Sequence, residues 1–276
     1  LKQYSMEKRI VSLGLTKQDM EYVLERPKVS VFEVGKTGDT TRSNLLIKYG
    51  IPGIFLWLLV MGIIMSSSML ISGVIEERSN RIMEIMLSSI KPHELMAGKI
   101  LGIGMMGVIQ ICIYLVIILL LTIFGGSFID LDLSPADVFT PNILWYFVYF
   151  IMGYFMYATL YVSLGSLFDN ERDAQQSVGY LSLFAVLPIM LIQPIMMNPG
   201  TPLTTILSFI PLTTPFMMIL KIGMLSAPLW EIILMMIYLL VWIFAIARAG
   251  SKIFRTTILM YGKRATLKEI IQWLRA

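Results

Sequence analysis

Charged side chains recur along one short stretch between apolar runs, Glu76-Glu77-Arg78-Ser79-Asn80-Arg81-Ile82-Met83-Glu84, which continues through Lys91-Pro92-His93-Glu94 to Gly98-Lys99. Ile82, Ile85, Met86 and Ile90 recur at helical spacing, so this stretch predicts a short amphipathic helix along a membrane face. Glu77 and Arg81 stand four apart and Arg81 and Glu84 three apart, a spacing at which opposite charges pair along one helical surface. The charged side is then free to meet a partner. Pro92 suits the first position of a new helix and Glu94 its first turn, so a helix is expected to start here and run straight into the apolar residues that follow. This chemistry is recognition rather than catalysis.

A second set of polar residues interrupts apolar runs: Ser66, Ser67, Gln110, Tyr154, Tyr157 and Gln193. They are candidates for lining a polar path through the membrane. With Tyr146, Tyr149 and Tyr161, the tyrosines form a partly polar aromatic face, although aromatics at helical spacing more often pack and intramembrane amides often bond between helices. Catalysis finds no support. His93 is the only histidine, so no H-E-x-x-H metal pair can form and no metal ligand set is expected. Ser66, Ser67 and Ser68 have no base at their depth. Gly35-Lys36-Thr37 resembles the end of a phosphate loop, but the position of its first glycine is held by Ser30. Cys112 stands alone as a ligand and excludes an internal disulfide. No acid cluster of the kind a sodium or proton carrier uses lies at membrane depth.

The elements that must position these residues are membrane helices. The chain has 276 residues, 57% hydrophobic and 14% charged, with a mean hydropathy of +0.76, too few charges to clothe a core in water. Five runs are long enough to cross about 30 Å of hydrocarbon: Ile51 to Ile75, Ile100 to Phe124, Ile143 to Phe168, Val178 to Met197 and Leu229 to Ala247. Leu203 to Met224 is also apolar, but Pro211 and Pro215 interrupt it, which predicts a re-entrant helical hairpin. The net charge of +4 is modest and makes no nucleic-acid stripe. Basic residues gather between Glu76 and Lys99 and again from Arg248 to Arg275, which predicts that both are cytoplasmic. The loop from Gly125 to Asn142 has Asp130, Asp132 and Asp137 but no Lys or Arg, which suits the outer side. A full crossing by Leu203 to Met224 would put the basic tail outside, a second reason to keep that hairpin on the outer side.

Three regions follow: residues 1–49 as the end of an extracytoplasmic domain, 50–250 as the membrane domain and 251–276 as a basic amphipathic tail on inner lipid. In the first, Leu15 to Leu24 is helix-like and Val29 to Val34 strand-like, a small α/β segment. Placing it outside implies a further upstream span, giving six in the full protein. The expected fold class is thus an all-α polytopic membrane protein with five spans in this sequence.

The segment from the paired acids through the Met-Glu-rich helix to the Lys-Pro corner and Gly-Lys-x-x-Gly resembles the permeases of ABC type-2 exporters, most closely the NatB-like sodium-export permease group. Asp169-Asn170-Glu171-Arg172-Asp173, the outer Ile210-Pro211-Leu212-Thr213-Thr214-Pro215 and the terminal Leu259-Met260-Tyr261-Gly262-Lys263 follow in the order of that group. The resemblance implies a bacterial or archaeal cell-membrane protein, a homo- or heterodimer of permeases joined to two ATP-binding subunits. Mg-ATP would sit on those subunits, with no cofactor on this chain. It implies that Glu76, Glu77, Arg78, Arg81, Glu84, Lys91, Pro92 and Glu94 transmit the ATPase's movement, with Asp169, Glu171, Arg172 and Asp173 as a second inner contact. The cargo would be sodium ions, drugs or other small amphiphiles. An autonomous channel or secondary carrier is the alternative; it would need ion-binding groups at mid-membrane.

Overall fold

The computed structural model describes residues 32–34, 40–42, 46–79, 92–125, 140–168, 170–197, 201–225 and 227–257. The predicted helix at Leu15 to Leu24, Gly35-Lys36-Thr37, the elbow from residue 80 to 91, Asp130, Asp132 and Asp137, Asp169 and the tail from 258 lie outside the described residues. Leu1–Leu45 and Leu46–Ala276 are separate compact units. In the first, β1 (Phe32–Val34) and β2 (Thr40–Arg42) pair antiparallel, with Glu33 opposite Thr41. β1 falls inside the stretch Val29 to Val34 that the sequence marks as strand-like.

The second unit is helical. After a π-helical turn at Leu46–Gly50, its helices are α1 (Ile51–Ser79), α2 (Pro92–Gly125), α3 (Asn142–Gly165), α4 (Glu171–Met190), α5 (Ile192–Met197), α6 (Pro202–Phe209), α7 (Thr214–Met224) and α8 (Leu229–Thr257). Among the described residues, five spans are long and apolar enough to cross a membrane: Lys48–Glu76, Ala97–Ile117, Asn142–Gly165, Glu171–Ile195 and Leu229–Phe254. All five match the hydropathy runs. The fourth starts earlier than its apolar run because the Asn170 side chain accepts from the Arg172 N–H at 3.0 Å, an N-cap, with Glu171 and Asp173 in the first turn. It breaks at Leu191, where Pro194 has no N–H to offer the Met190 carbonyl four residues back. α8 continues past the expected boundary at 250 to Thr257, with Ile253 and Phe254 buried, so residues 251–257 extend the last membrane helix.

Side-chain contacts fix the helix directions. Gly62 lies against Gln110 and Gly73 bonds to Lys99, so α1 and α2 are antiparallel. Ser66 meets Tyr154 and Ile71 meets Gly165, so α1 and α3 are parallel. The start of α8 lies beside the start of α3, where Tyr149 reaches Ile232. α4 therefore ends, and α8 begins, at the same end of the bundle. The segment between them, α5 to α7, returns to the end it left. At 11 residues α7 is about 16 Å long, half of what a crossing needs. The sequence's helical hairpin is thus present, and it does not cross. The end of α1, the starts of α2 and α4 and the end of α8 all lie at the opposite end.

α1 and α3 form the interior, with 50% and 56% of their spans buried, against 24%, 22% and 17% for α2, α4 and α8. Large apolar side chains such as Met65, Met105, Ile109, Leu183, Trp230 and Phe244 are exposed, as a lipid-facing surface requires. Close approach of α2 to α3 depends on glycine. A methyl group at Gly104 would fall 2.1 Å from the Phe155 ring, and one at Gly107 would fall 2.4 Å from the Tyr154 ring. Of the four glycines of α2 whose spacing permits close helix approach, Gly98 and Gly102 face open space, and Gly104 and Gly107 make the contact. Gly107→Ala should therefore lower stability by about 1–3 kcal/mol through overpacking, while Gly102→Ala should not. Thermal unfolding of the two variants in detergent checks this, and equal melting points would contradict the seam.

Candidate functional site

Two kinds of candidate residue were expected, charged groups at the inner loops and polar groups within the spans. Of the first, Glu76 is exposed at the end of α1 and Glu94 is exposed in the first turn of α2. Pro92 is the first residue of α2, as its sequence position predicts; the helix then runs through Ala97, where the apolar span starts, without a break. Glu77 and Arg78 lie in the last turn of α1, whereas Arg81, Glu84 and Lys91 lie outside the described residues. At the α3–α4 loop, Glu171 and Arg172 are exposed and Asp173 is half-buried. Both charged surfaces stand at one end of the bundle.

Two side chains tie these surfaces to α1. Lys99 Nζ donates to the Gly73 carbonyl at 3.1 Å, and Gln175 Nε2 donates to Ser68 Oγ at 3.3 Å. Lys99 lies seven residues beyond Pro92, and Gln175 five beyond Asn170.

The intramembrane group divides. Tyr154 donates to Ser66 Oγ at 2.7 Å, its ring lies against Gly107, and Gln110 one turn further along α2 lies against Gly62 and donates to Tyr114. Ser66, Tyr154 and Gln110 thus mark one junction of α1, α2 and α3. Ser67 is turned back on its own helix, donating to the Ile64 carbonyl at 2.6 Å. Gln193 is exposed on α5, apart from that junction. Tyr157 belongs to the hairpin: its hydroxyl donates at 3.0 Å to the Leu212 carbonyl in the turn between α6 and α7. Tyr238 donates to the Phe209 carbonyl at 2.6 Å and Tyr149 to the Ile232 carbonyl at 2.6 Å. The hydroxyls of Tyr149, Tyr154, Tyr157 and Tyr238 are committed to bonds from one element to another.

The sequence reading missed an ion pair. Lys221 near the end of α7 and Glu231 in the first turn of α8 form a salt bridge, their side chains only 11% and 18% exposed. The signal was available: opposite charges ten residues apart across Pro228, each alone in an apolar run. Glu76, Glu94, Glu171 and Asp173 stand at the elbow end of the bundle, and Glu231 at the other. Groups of three or more His, Cys, Asp or Glu able to hold a metal are absent among the described residues.

These features define a five-span helical membrane protein with charged loops at one end and a non-crossing hairpin at the other. Residues 4–250 match the family described as ABC-2 family transporter protein, and the chain belongs to that family. It is 33% identical over 253 residues to the uncharacterized protein MJ1024 of Methanocaldococcus jannaschii, covering 91% of this chain and 59% of the relative. It is also 33% identical over 254 residues to the uncharacterized protein YhaP of Bacillus subtilis, covering 87% of this chain and 58% of that relative. The chain therefore spans less than two thirds of the length of these curated relatives. No solved structure matches it.

The ion pair yields a direct test. Removing one partner strands a charge, so Lys221→Met should destabilise the protein by about 3–5 kcal/mol. The exchanged pair Lys221→Glu with Glu231→Lys should regain most of that. Melting temperatures of the three proteins in detergent decide it; an exchanged pair as unstable as the single variant would mean the two charges do not act on each other.

Proposed function

We propose that this chain is the membrane permease of an ATP-driven exporter, with ATP bound and hydrolysed as Mg-ATP on a separate ATP-binding-cassette subunit. A second permease, identical or homologous, completes the transporter in a bacterial or archaeal cell membrane. The elbow, the α3–α4 loop and the C-terminus face the cytoplasm, and the N-terminal unit and the hairpin face outward. The cargo belongs to the range of sodium ions, drugs or other small amphiphiles.

The observation that carries this reading is the continuity of α2. A helix that begins at Pro92, ahead of the apolar span, and runs unbroken to Gly125 is one stiff rod whose first turn precedes its apolar stretch. A partner that grips the elbow from Glu76 to Glu94 moves that rod. For ATP to shift the spans, its bound state must favour one helix arrangement through contacts that differ between states. The charged elbow provides such contacts, and Glu171, Arg172 and Asp173 add a second set. Basic residues concentrated at this end support its cytoplasmic placement.

The test is ATPase turnover of the reconstituted full-length permease with and without its ATP-binding partner, using the native chain and a Glu77→Lys, Glu84→Lys variant. The charge reversal should weaken complex formation at least tenfold and remove permease-dependent stimulation, while span packing and melting temperature stay unchanged. Unchanged binding and turnover would refute the elbow as the coupling site and favour a channel or carrier that works alone.

A further inference from the structure

The two inner surfaces look independent in sequence, 77 residues apart between Glu94 and Glu171. In the structure they meet one short piece of α1. Lys99, in the turn of α2 that enters the bundle, donates to the Gly73 carbonyl; Gln175, in the corresponding turn of α4, donates to Ser68 Oγ. Two residues before Ser68, Ser66 accepts from Tyr154 of α3. Polar contacts from three different helices thus converge on Ser66–Gly73, a length of about 10 Å.

This stretch is also seated in the core. Leu70 and Ile71 are fully buried, and Ile71 with Val74 abuts the backbone of α3 at Gly165. Among the described residues, α2 packs mainly against α3 and α8 and touches α1 little, and the Lys99 bond is a direct fastening between the two limbs of the elbow. α4, in contrast, packs chiefly on α1. A displacement of the α2 limb of the elbow bears on the interior of α1 through Lys99. A displacement of the α3–α4 loop reaches it through Gln175.

We propose that Ser66–Gly73 of α1 is a shared receiver through which both inner surfaces drive the bundle, with Lys99 and Gln175 as the positioning residues that connect them to it. The inference rests on the coupling reading above and adds to it that the two inner contacts are not parallel inputs. Both act on one segment, so losing either fastening disables the same step. Spatial convergence by itself does not establish coupling, and non-additivity does.

The experiment uses the full-length permease with its ATP-binding partner in nanodiscs. Spin labels are placed at Trp57→Cys on α1 and Leu229→Cys on α8, both exposed at the far end of the bundle, in a Cys112→Ser background. The readouts are partner affinity and the fraction of molecules whose label separation shifts on adding Mg-ATP. Lys99→Met and Gln175→Leu should each leave partner affinity within about twofold and reduce the shifted fraction roughly three- to tenfold. The double variant should be no worse than the stronger single one, and Lys99→Arg, which keeps a cationic donor, should recover most of the shift. Losses that multiply in the double variant, or single variants without effect, overturn the shared receiver while leaving the coupling reading intact. Failure of the unmodified permease to bind the partner overturns both.

Discussion

Within hydrocarbon there is no water to accept or donate a hydrogen bond, so each backbone polar group must find a partner in the protein. Uninterrupted helices meet that demand by themselves, and the hairpin does not. Between α6 and α7 the helical ladder stops: the Ile210 N–H still serves the Leu207 carbonyl and the Thr213 and Thr214 N–H groups that of Ile210, and side chains supply further donors along the turn. Thr213 Oγ reaches the Leu207 carbonyl at 2.5 Å, and Thr214 Oγ lies 2.7 Å from those of Ser208 and Ile210. Tyr238 serves Phe209 and Tyr157 serves Leu212. Because Tyr157 projects from the middle of α3 and Tyr238 from α8, the bonds that make the hairpin tolerable also fix where it sits between them. Its apolar side chains then close the core, with Phe216 fully buried edge-on to Tyr157 at 5.7 Å between ring centres.

That dependence explains what could be read from sequence. Span number follows from composition alone, because five runs are long enough and nearly free of charge. Pro211, Pro215 and the basic tail suffice to show that Leu203 to Met224 turns back, since one argument concerns backbone donors and the other the sidedness of charge. Pro92 likewise announces its own helix start. What periodicity cannot supply is the identity of the partner across a face. The five tyrosines of α3 form a stripe in either case; only the fold shows that Tyr154 goes to Ser66 and Tyr157 to the hairpin. Gly98 and Gly102 have the spacing of a packing motif, yet Gly104 and Gly107 meet α3, because a motif on one helix does not say where its neighbour crosses. The charged elbow is conspicuous in sequence for the opposite reason: its residues make their meaning through local spacing, with no distant partner in the chain required.

The packing is uneven in a way that bears on movement. α1 and α3 are held on several sides, by each other, by α7 and by α4 or α8. α2 is held mainly along its glycine seam and presents Leu101, Met105, Ile109, Val116 and Ile117 outward. Lipid tails are as apolar as those side chains, so shifting α2 along its neighbours exchanges one apolar contact for another at small cost, whereas shifting α1 disturbs side chains buried on several faces. An input helix at the edge joined to a receiving helix in the interior is therefore mechanically sensible. Under the proposed coupling, the edge helix would follow a push from its exposed end with little resistance, and the polar fastening at Lys99 would deliver the push to an element whose displacement has to be shared by α3 and the hairpin it carries.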